Sequence, residues 1–175
     1  MGKKQSKTVS ESKTTMTELV LPNDTNPLNN LMGGRLMHYM DVVSAITAQK
    51  HSNRIVVTAS VDNISFSKPI PLGSVITLNA QVTRAFSSSM EVFIEVLAEN
   101  IPSGEKFRSN SAYFTFVAVD QTGRPIDVPQ LIPETDEEKE LYEDALKRRD
   151  LRLILAGRMK PSDAKDLKDF LFKNE

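Results

Sequence analysis

Asp24-Thr25-Asn26-Pro27-Leu28-Asn29-Asn30-Leu31-Met32-Gly33-Gly34-Arg35-Leu36-Met37-His38-Tyr39-Met40-Asp41 carries turn formers, two consecutive glycines and the opening of a mostly apolar helix in one short span. Asn, Asp and Pro stabilise turns through their side chains or a fixed φ, so the span up to Met32 reads as a loop. From Gly33 or Gly34 to about Lys50 it reads as a helix, with Leu36, Met37, Met40, Val43, Ala45, Ile46 and Ala48 on more than one face. Such a helix runs roughly 24 Å, enough to cross a small domain. It is the natural centre of the fold. Asp41 then puts a carboxylate where that helix should be buried, and a buried carboxylate needs a partner or a task.

Beyond the helix the periodicity changes to two and β-branched residues take over, the mark of strands. Four long ones are predicted, at Arg54–Phe66, Ser74–Arg84, Met90–Asn100 and Lys106–Val119. Their connections run through Pro69–Gly73, Phe86–Ser89 and Ile101–Glu105, and Asp120–Pro125 closes the last strand. Connections this short join antiparallel neighbours. The expectation is an α+β fold: an antiparallel sheet with one long helix covering a face.

Residues 1–16 are almost wholly polar and read as a disordered tail, with a short strand over Met16–Leu21 beginning the ordered chain. Met1-Gly2-Lys3-Lys4-Gln5-Ser6 also fits an N-myristoylation pattern with Lys3, Lys4 and Lys7 beside it, although a solvated tail is the simpler reading. After Pro133, Thr135-Asp136-Glu137-Glu138 forms a capping-box pattern for a second helix carrying Leu141, Tyr142, Ala145 and Leu146. That helix is acidic from Glu134 to Asp144 and basic from Lys147 to Lys160, as a solvated charged face. A last short helix starts at Pro161 and ends in Phe170-Leu171-Phe172, apolar residues suited to docking on another surface. The predicted organisation is a tail over 1–16, a domain over 17–130 and a helical extension over 131–175.

The totals exclude several function classes. A chain of 175 residues, 39% hydrophobic and 26% charged, suits one domain with a true core. A net charge of −1 offers no electrostatic case for nucleic acid. Without cysteine there is no disulfide, no thiolate metal site and no cysteine nucleophile. No run approaches a membrane span and no secretory signal opens the chain, so the expected location is the cytoplasm. Serine-hydrolase and P-loop patterns are absent, and two histidines, His38 and His51, thirteen apart, make no metal site. His38 is expected at the edge of the core.

What remains is Asn26 and Asp41 around Gly33-Gly34. Glycines at a helix start let backbone approach a ligand closely, and the unpaired N–H groups of the first turn stabilise negative charge developing on an oxygen. Asp41, about two turns in, is near enough to share a pocket with that end, or with its copy in a partner. A carboxylate there serves as general base on water or attacks an acyl carbon itself. The residues alone leave open a plainer account in which Asp41 forms a salt bridge and Asn26 only an Asx turn.

The run Leu21–Leu28, then Met32–Met37 and Met40-Asp41, resembles the signature of the hot-dog acyl-CoA thioesterases, in particular the cytosolic long-chain acyl-CoA hydrolases and the bacterial YciA-type branch. Val56–Asp62, Phe66–Pro69, Gly73, Thr115–Asp120 and Gly123–Pro125 follow in the family's order, so that the likeness covers about 17–130. It implies a hot-dog fold, an antiparallel sheet wrapped round one long central helix, in homodimers with a continuous sheet that assemble further as trimers of dimers. By position it makes Asp41 the catalytic acid and Asn26 the catalytic Asn, from different protomers, with Gly33 and Gly34 polarising the thioester carbonyl. Lys68, Arg84 and Ser87, Ser88 and Ser89 resemble contacts on the nucleotide side of coenzyme A, and Met37, Met40 and Phe66 would line an acyl tunnel. Asn29 departs from the family, which has Gly there; Asn tolerates positive φ better than other side chains.

The implied activity is hydrolysis of fatty acyl-CoA to free fatty acid and coenzyme A, with no metal or other cofactor. A non-catalytic acyl-CoA sensor on the same fold is the alternative. A hydratase would need a His five residues after Asp41, where Ile46 stands.

Overall fold

The computed structural model describes residues 5–62, 64, 66, 68–165 and 167. The Met1-Gly2 pattern and Phe170–Phe172 lie outside the described residues. The chain divides into two compact units, Met1–Ile132 and Pro133–Glu175.

Helix α1 spans Gly33–Ser52. Its buried residues, Leu36, Met40, Val43, Ser44, Thr47, Ala48, His51 and Ser52, recur at three- and four-residue steps and form one stripe. Met37 and Ile46, each 39% exposed, lie off it, so the apolar residues that the sequence spreads over several faces bury only one. Asn53 ends the helix in the left-handed region at φ 52°, a conformation Asn accepts, and its N–H bonds Gln49 O.

Strands β2 (Thr14–Leu19), β3 (Ile55–Asp62), β4 (Val75–Ala85), β5 (Ser89–Asn100) and β6 (Glu105–Val119) form one antiparallel sheet in the order β2-β4-β5-β6-β3. Alternating residues Ile76, Leu78, Ala80 and Val82 of β4 and Met90, Val92, Ile94 and Val96 of β5 are buried, and the sheet packs on α1. This is the hot-dog arrangement. Strand β3 follows α1 after two residues but crosses to β6, with Ile55 opposite Val119, and is left as an edge. Its Ile55, Val57 and Val61 are 60%, 49% and 36% exposed. Bulges interrupt the ladders between Thr58 and Ser60, between Val82 and Arg84, and between Val96 and Leu97, where β6 carries Ser109 as the extra residue.

The amino-terminal segment departs from the disordered tail expected of it. Strand β1 (Ser6–Thr8) runs parallel to β7 (Gln130–Ile132), and β2 begins at Thr14. Composition hides this because the ladder is made by backbone, which polar residues supply as well as apolar ones. Glu11 accepts from Thr8 N at 2.7 Å, and Val9 and Ser12 are buried between the two strands.

In the second unit, α2 spans Asp136–Leu155. The capping box is present: Thr135 Oγ1 accepts from Glu138 N and Glu138 Oε2 from Thr135 N, each at 3.2 Å. Pro161–Asp163 forms a single 3₁₀ turn. Among the described residues no helix is long and apolar enough to cross a membrane.

Candidate active site

The loop from Leu21 to Met32 is closed on itself by Asn26. Its side-chain Oδ1 accepts from Leu28 N at 2.9 Å and Asn30 N at 3.2 Å, while its main chain exchanges bonds with Asn30 O and Asn29 N. An isolated bridge, Thr25 to Leu31, shuts the base of the loop. Two N–H donors on Oδ1 fix the amide's orientation and so assign Nδ2 as its donor side. Asn29 takes φ 56°, the left-handed turn conformation that glycine would adopt without strain.

Asn26 and Gly33 line one cleft of about 390 Å³, together with Leu28, Asn30, Phe66, Lys68 and Asn110. The two glycines at the start of α1 differ. A Cβ at Gly33 would stand 3.1–3.4 Å from the Phe66 ring, so a side chain there would push the ring by a few tenths of an ångström. A Cβ at Gly34 would meet nothing within 4 Å, and its φ is not positive. Glycine in a helix costs about 0.5–1 kcal/mol relative to alanine, and no contact among the described residues explains it at position 34.

The buried carboxylate of this region is Asp24, 3% exposed; Asp41 is half-buried on the flank of α1. Asp24 Oδ1 meets Arg35 Nε at 2.6 Å, and that hydrogen bond holds the Arg35 guanidinium above its ordinary pKa. Asp41 Oδ1 accepts from the Thr58 hydroxyl at 2.8 Å. Thr58 lies on the edge strand beside the β3 bulge, a device that re-aims side chains. Its role escaped the sequence reading because a Thr in a β-branched run looks like any strand residue; only the fold shows its hydroxyl against Asp41.

The remaining expected site residues separate. Lys68 lines the Asn26 cleft, its ammonium 5.5 Å from the centre of the Phe107 ring and its carbonyl accepting from Ser109 Oγ. Arg84 and Ser87–Ser89 are at the other end of the sheet, where the Ser87 and Ser88 carbonyls accept from Val128 N and Ala118 N. Ser109 to Ala118 along β6 is about 30 Å, nearly the length of α1. One chain therefore does not bring these five residues together, nor does Asp41 line the Asn26 cleft. Of the apolar trio, only Phe66 lines it, whereas Met40 is wholly buried core.

The two histidines differ, and His38 is not at the core edge expected of it. His38 is exposed beside Tyr39, since it lies off the buried stripe of α1. His51 is fully buried, its Nε2 2.9 Å from Pro129 O and its Nδ1 without a hydrogen-bond partner. Burial lowers its pKa below the ordinary imidazole value.

This fold and these residues have relatives. Residues 28–105 match the family model described as the thioesterase superfamily. An uncharacterized acyl-CoA thioester hydrolase of Bacillus subtilis, YkhA, is 44% identical over 79% of this chain and 80% of its own length. The rat cytosolic acyl coenzyme A thioester hydrolase is 42% identical over 78% of this chain, which spans 36% of that longer protein. Among solved structures, an apo-hexameric acyl-CoA thioesterase superposes with TM-score 0.84 at 43% identity, covering 87% of this chain and 97% of the other. An acyl-CoA hydrolase of Staphylococcus aureus, solved with butyryl coenzyme A and coenzyme A, superposes with TM-score 0.79 at 39% identity, over 87% of this chain and 94% of its own. Structures of that enzyme also exist with an Asn, an Asp or a Thr replaced by Ala, at the same sequence separations as Asn26, Asp41 and Thr58 here. The chain belongs to the thioesterase superfamily, among its acyl-CoA thioester hydrolases.

Proposed function

We propose that this protein hydrolyses acyl-CoA thioesters to free fatty acid and coenzyme A at a site shared between two copies of the chain. Asp41 Oδ2 takes a proton from water as the water oxygen attacks the thioester carbonyl carbon. The developing oxyanion is met by the Asn26 Nδ2 and by first-turn N–H groups at Gly33 and Gly34. Collapse of the tetrahedral intermediate breaks the carbon–sulfur bond, and the departing thiolate takes the proton. Coenzyme A leaves as product, and the route draws on no metal or resident cofactor.

The observation that carries this reading is the Thr58–Asp41 hydrogen bond. It occupies one carboxylate oxygen and fixes the other on a flank of α1 next to an unpaired edge strand. Gly34 supports it: a helical glycine with no use inside the chain suits close approach by a ligand.

A second copy follows from the geometry of the parts. Pairing β3 with β3 of another chain would cover Ile55 and Val57 and continue the sheet. Two antiparallel α1 helices would then bring the Arg84 and Ser87–Ser89 end of one chain toward the Lys68 and Asn26 end of the other, and each Asp41 toward Asn26 of the partner subunit. The solved hexameric relative supports a trimer of such dimers, and the rat cytosolic relative supports a cytoplasmic location. A panel of acyl-CoAs from short to long, read by free coenzyme A with a thiol reagent, tests the reading. We expect release with wild type and a kcat loss of about 10³-fold for Asp41→Ala at unchanged fold. Tight acyl-CoA binding without release would establish the sensor instead.

A further inference from the structure

The Asn26 loop runs straight into the first turn of α1 at Met32, and the two must present their donors to one oxygen. Asp24 ties them a second time. Its carbonyl accepts from Met32 N, the N-cap of α1, at 2.8 Å. Its carboxylate accepts from Arg35 Nε in the first turn at 2.6 Å, from Tyr39 Oη at 3.5 Å and from Leu21 N at 3.4 Å. The Arg35 guanidinium also lies 5.2 Å from the centre of the Tyr39 ring. None of Asp24, Arg35 and Tyr39 lines the cleft, so the cluster acts on the site from behind.

We propose that the Asp24–Arg35 ion pair is a positioning latch for the hydrolysis described above, keeping the Asn26 amide in register with the Gly33 and Gly34 N–H groups; the proposal rests on that reading of the site. Because Asn26 closes residues 25–31 on themselves, that loop moves as a unit. Its other ties, Leu31 N to Ile70 O and Leu72 N to Asn29 O, reach the segment before β4 and not the helix. Its C-terminal end is tied to α1 by the chain itself at Met32, and its N-terminal end, two residues before Asn26, is tied to the helix at Asp24. Opening the ion pair leaves the loop folded and its main-chain bond from Met32 N to Asp24 O in place, but removes the side-chain brace that fixes its tilt against the first turn of α1. A misplacement of about 1 Å costs on the order of 100-fold in rate, while ground-state binding of a large substrate changes little.

The test compares wild type, Arg35→Ala, Arg35→Lys, Asp24→Asn, Asn26→Ala and the double variant Asn26→Ala/Arg35→Ala as assembled protein on one acyl-CoA substrate. We expect Arg35→Ala to lower kcat about 10–100-fold with KM within about twofold. Arg35→Lys should recover part of the loss, since it restores the charge without the fork. The double variant should be no slower than Asn26→Ala alone, because the latch works through that amide. Wild-type kcat in Arg35→Ala, a rise in KM alone, or losses that multiply in the double variant would overturn the latch. Should Asp24→Asn fail to fold, the Arg35 variants decide the matter, as that side chain is 45% exposed. Absence of coenzyme A release by wild type, or full activity in Asn26→Ala, would instead overturn the hydrolase site itself.

Discussion

Helix α1 has a face that the chain closes for itself and a flank that it leaves open, and the two hold different chemistry. On the closed face Leu36, Met40, Val43 and Ala48 pack on the sheet, and burial contributes about 1.5–3 kcal/mol for each of the three larger side chains and less for Ala48. On the open flank Asp41 and Met37, one turn apart, stand beside β3 with its exposed Ile55 and Val57. Polar groups under the closed face meet only their own chain: His51 Nε2 faces Pro129 O, while His51 Nδ1 and Ser44 Oγ are buried without a partner among the described residues. On the open flank Asp41, half-buried, has one oxygen on the Thr58 hydroxyl and lies within reach of groups outside the chain. A carboxylate held by a single hydrogen bond at an unpaired edge is positioned and still available.

The most direct way to break this contrast is to charge the open side. Val57→Lys should hold the protein as monomers in light scattering and lower hydrolysis at least about 100-fold while the circular dichroism of the fold survives, because edge lysines prevent strand pairing. Retained assembly with full activity would show that β3 is not the joining edge. Next comes Gly34→Ala. It should slow kcat about 10-fold or more by crowding the approaching thioester, yet raise the melting temperature by about 1–4 °C, the gain expected from relieving a helical glycine in a chain of this size. A fall in both would place the need for glycine inside the fold.

On the closed face the instrument is pH. His51 has a lowered folded pKa, so as pH falls below about 6.5 the unfolded chain takes up a proton that the folded chain refuses, and stability declines. Melting temperature should drop from pH 7 to pH 5.5, and His51→Gln should flatten that slope; an unchanged slope would assign the loss to other groups. The smallest effect is at Asn29. Asn29→Gly removes left-handed strain but frees the unfolded chain, leaving a stability change within about 1 kcal/mol by urea denaturation, whereas Asn29→Val should destabilise by about 1–3 kcal/mol.

Sequence periodicity located α1 and the four long strands to within a few residues, because alternation and apolar spacing are local properties. It could not show that β3 crosses to β6, since pairing between distant segments leaves no local trace. The site was legible in part. Asn26 and Gly33 announced themselves as turn and helix-start residues and meet in one cleft. Asp41 drew notice for a burial that belongs to Asp24, whose pairing with Arg35, eleven residues on, no local pattern marks. Thr58 was invisible for lack of any pattern tying a strand hydroxyl to a helix carboxylate. Residues 6–16 were misread because side-chain polarity says nothing of where backbone N–H groups find acceptors.

The exposed edge of β3 also governs how this chain must be made. Synthesis delivers β3 long before β6, its partner within the chain, and even the finished fold leaves its other side unpaired. An unpaired β-branched strand is a template for any other strand. Where the site is shared between two copies, as proposed above, pairing of two β3 edges and disordered aggregation both quicken with concentration, so the yield of active protein falls when folding is slow enough for open edges to collect.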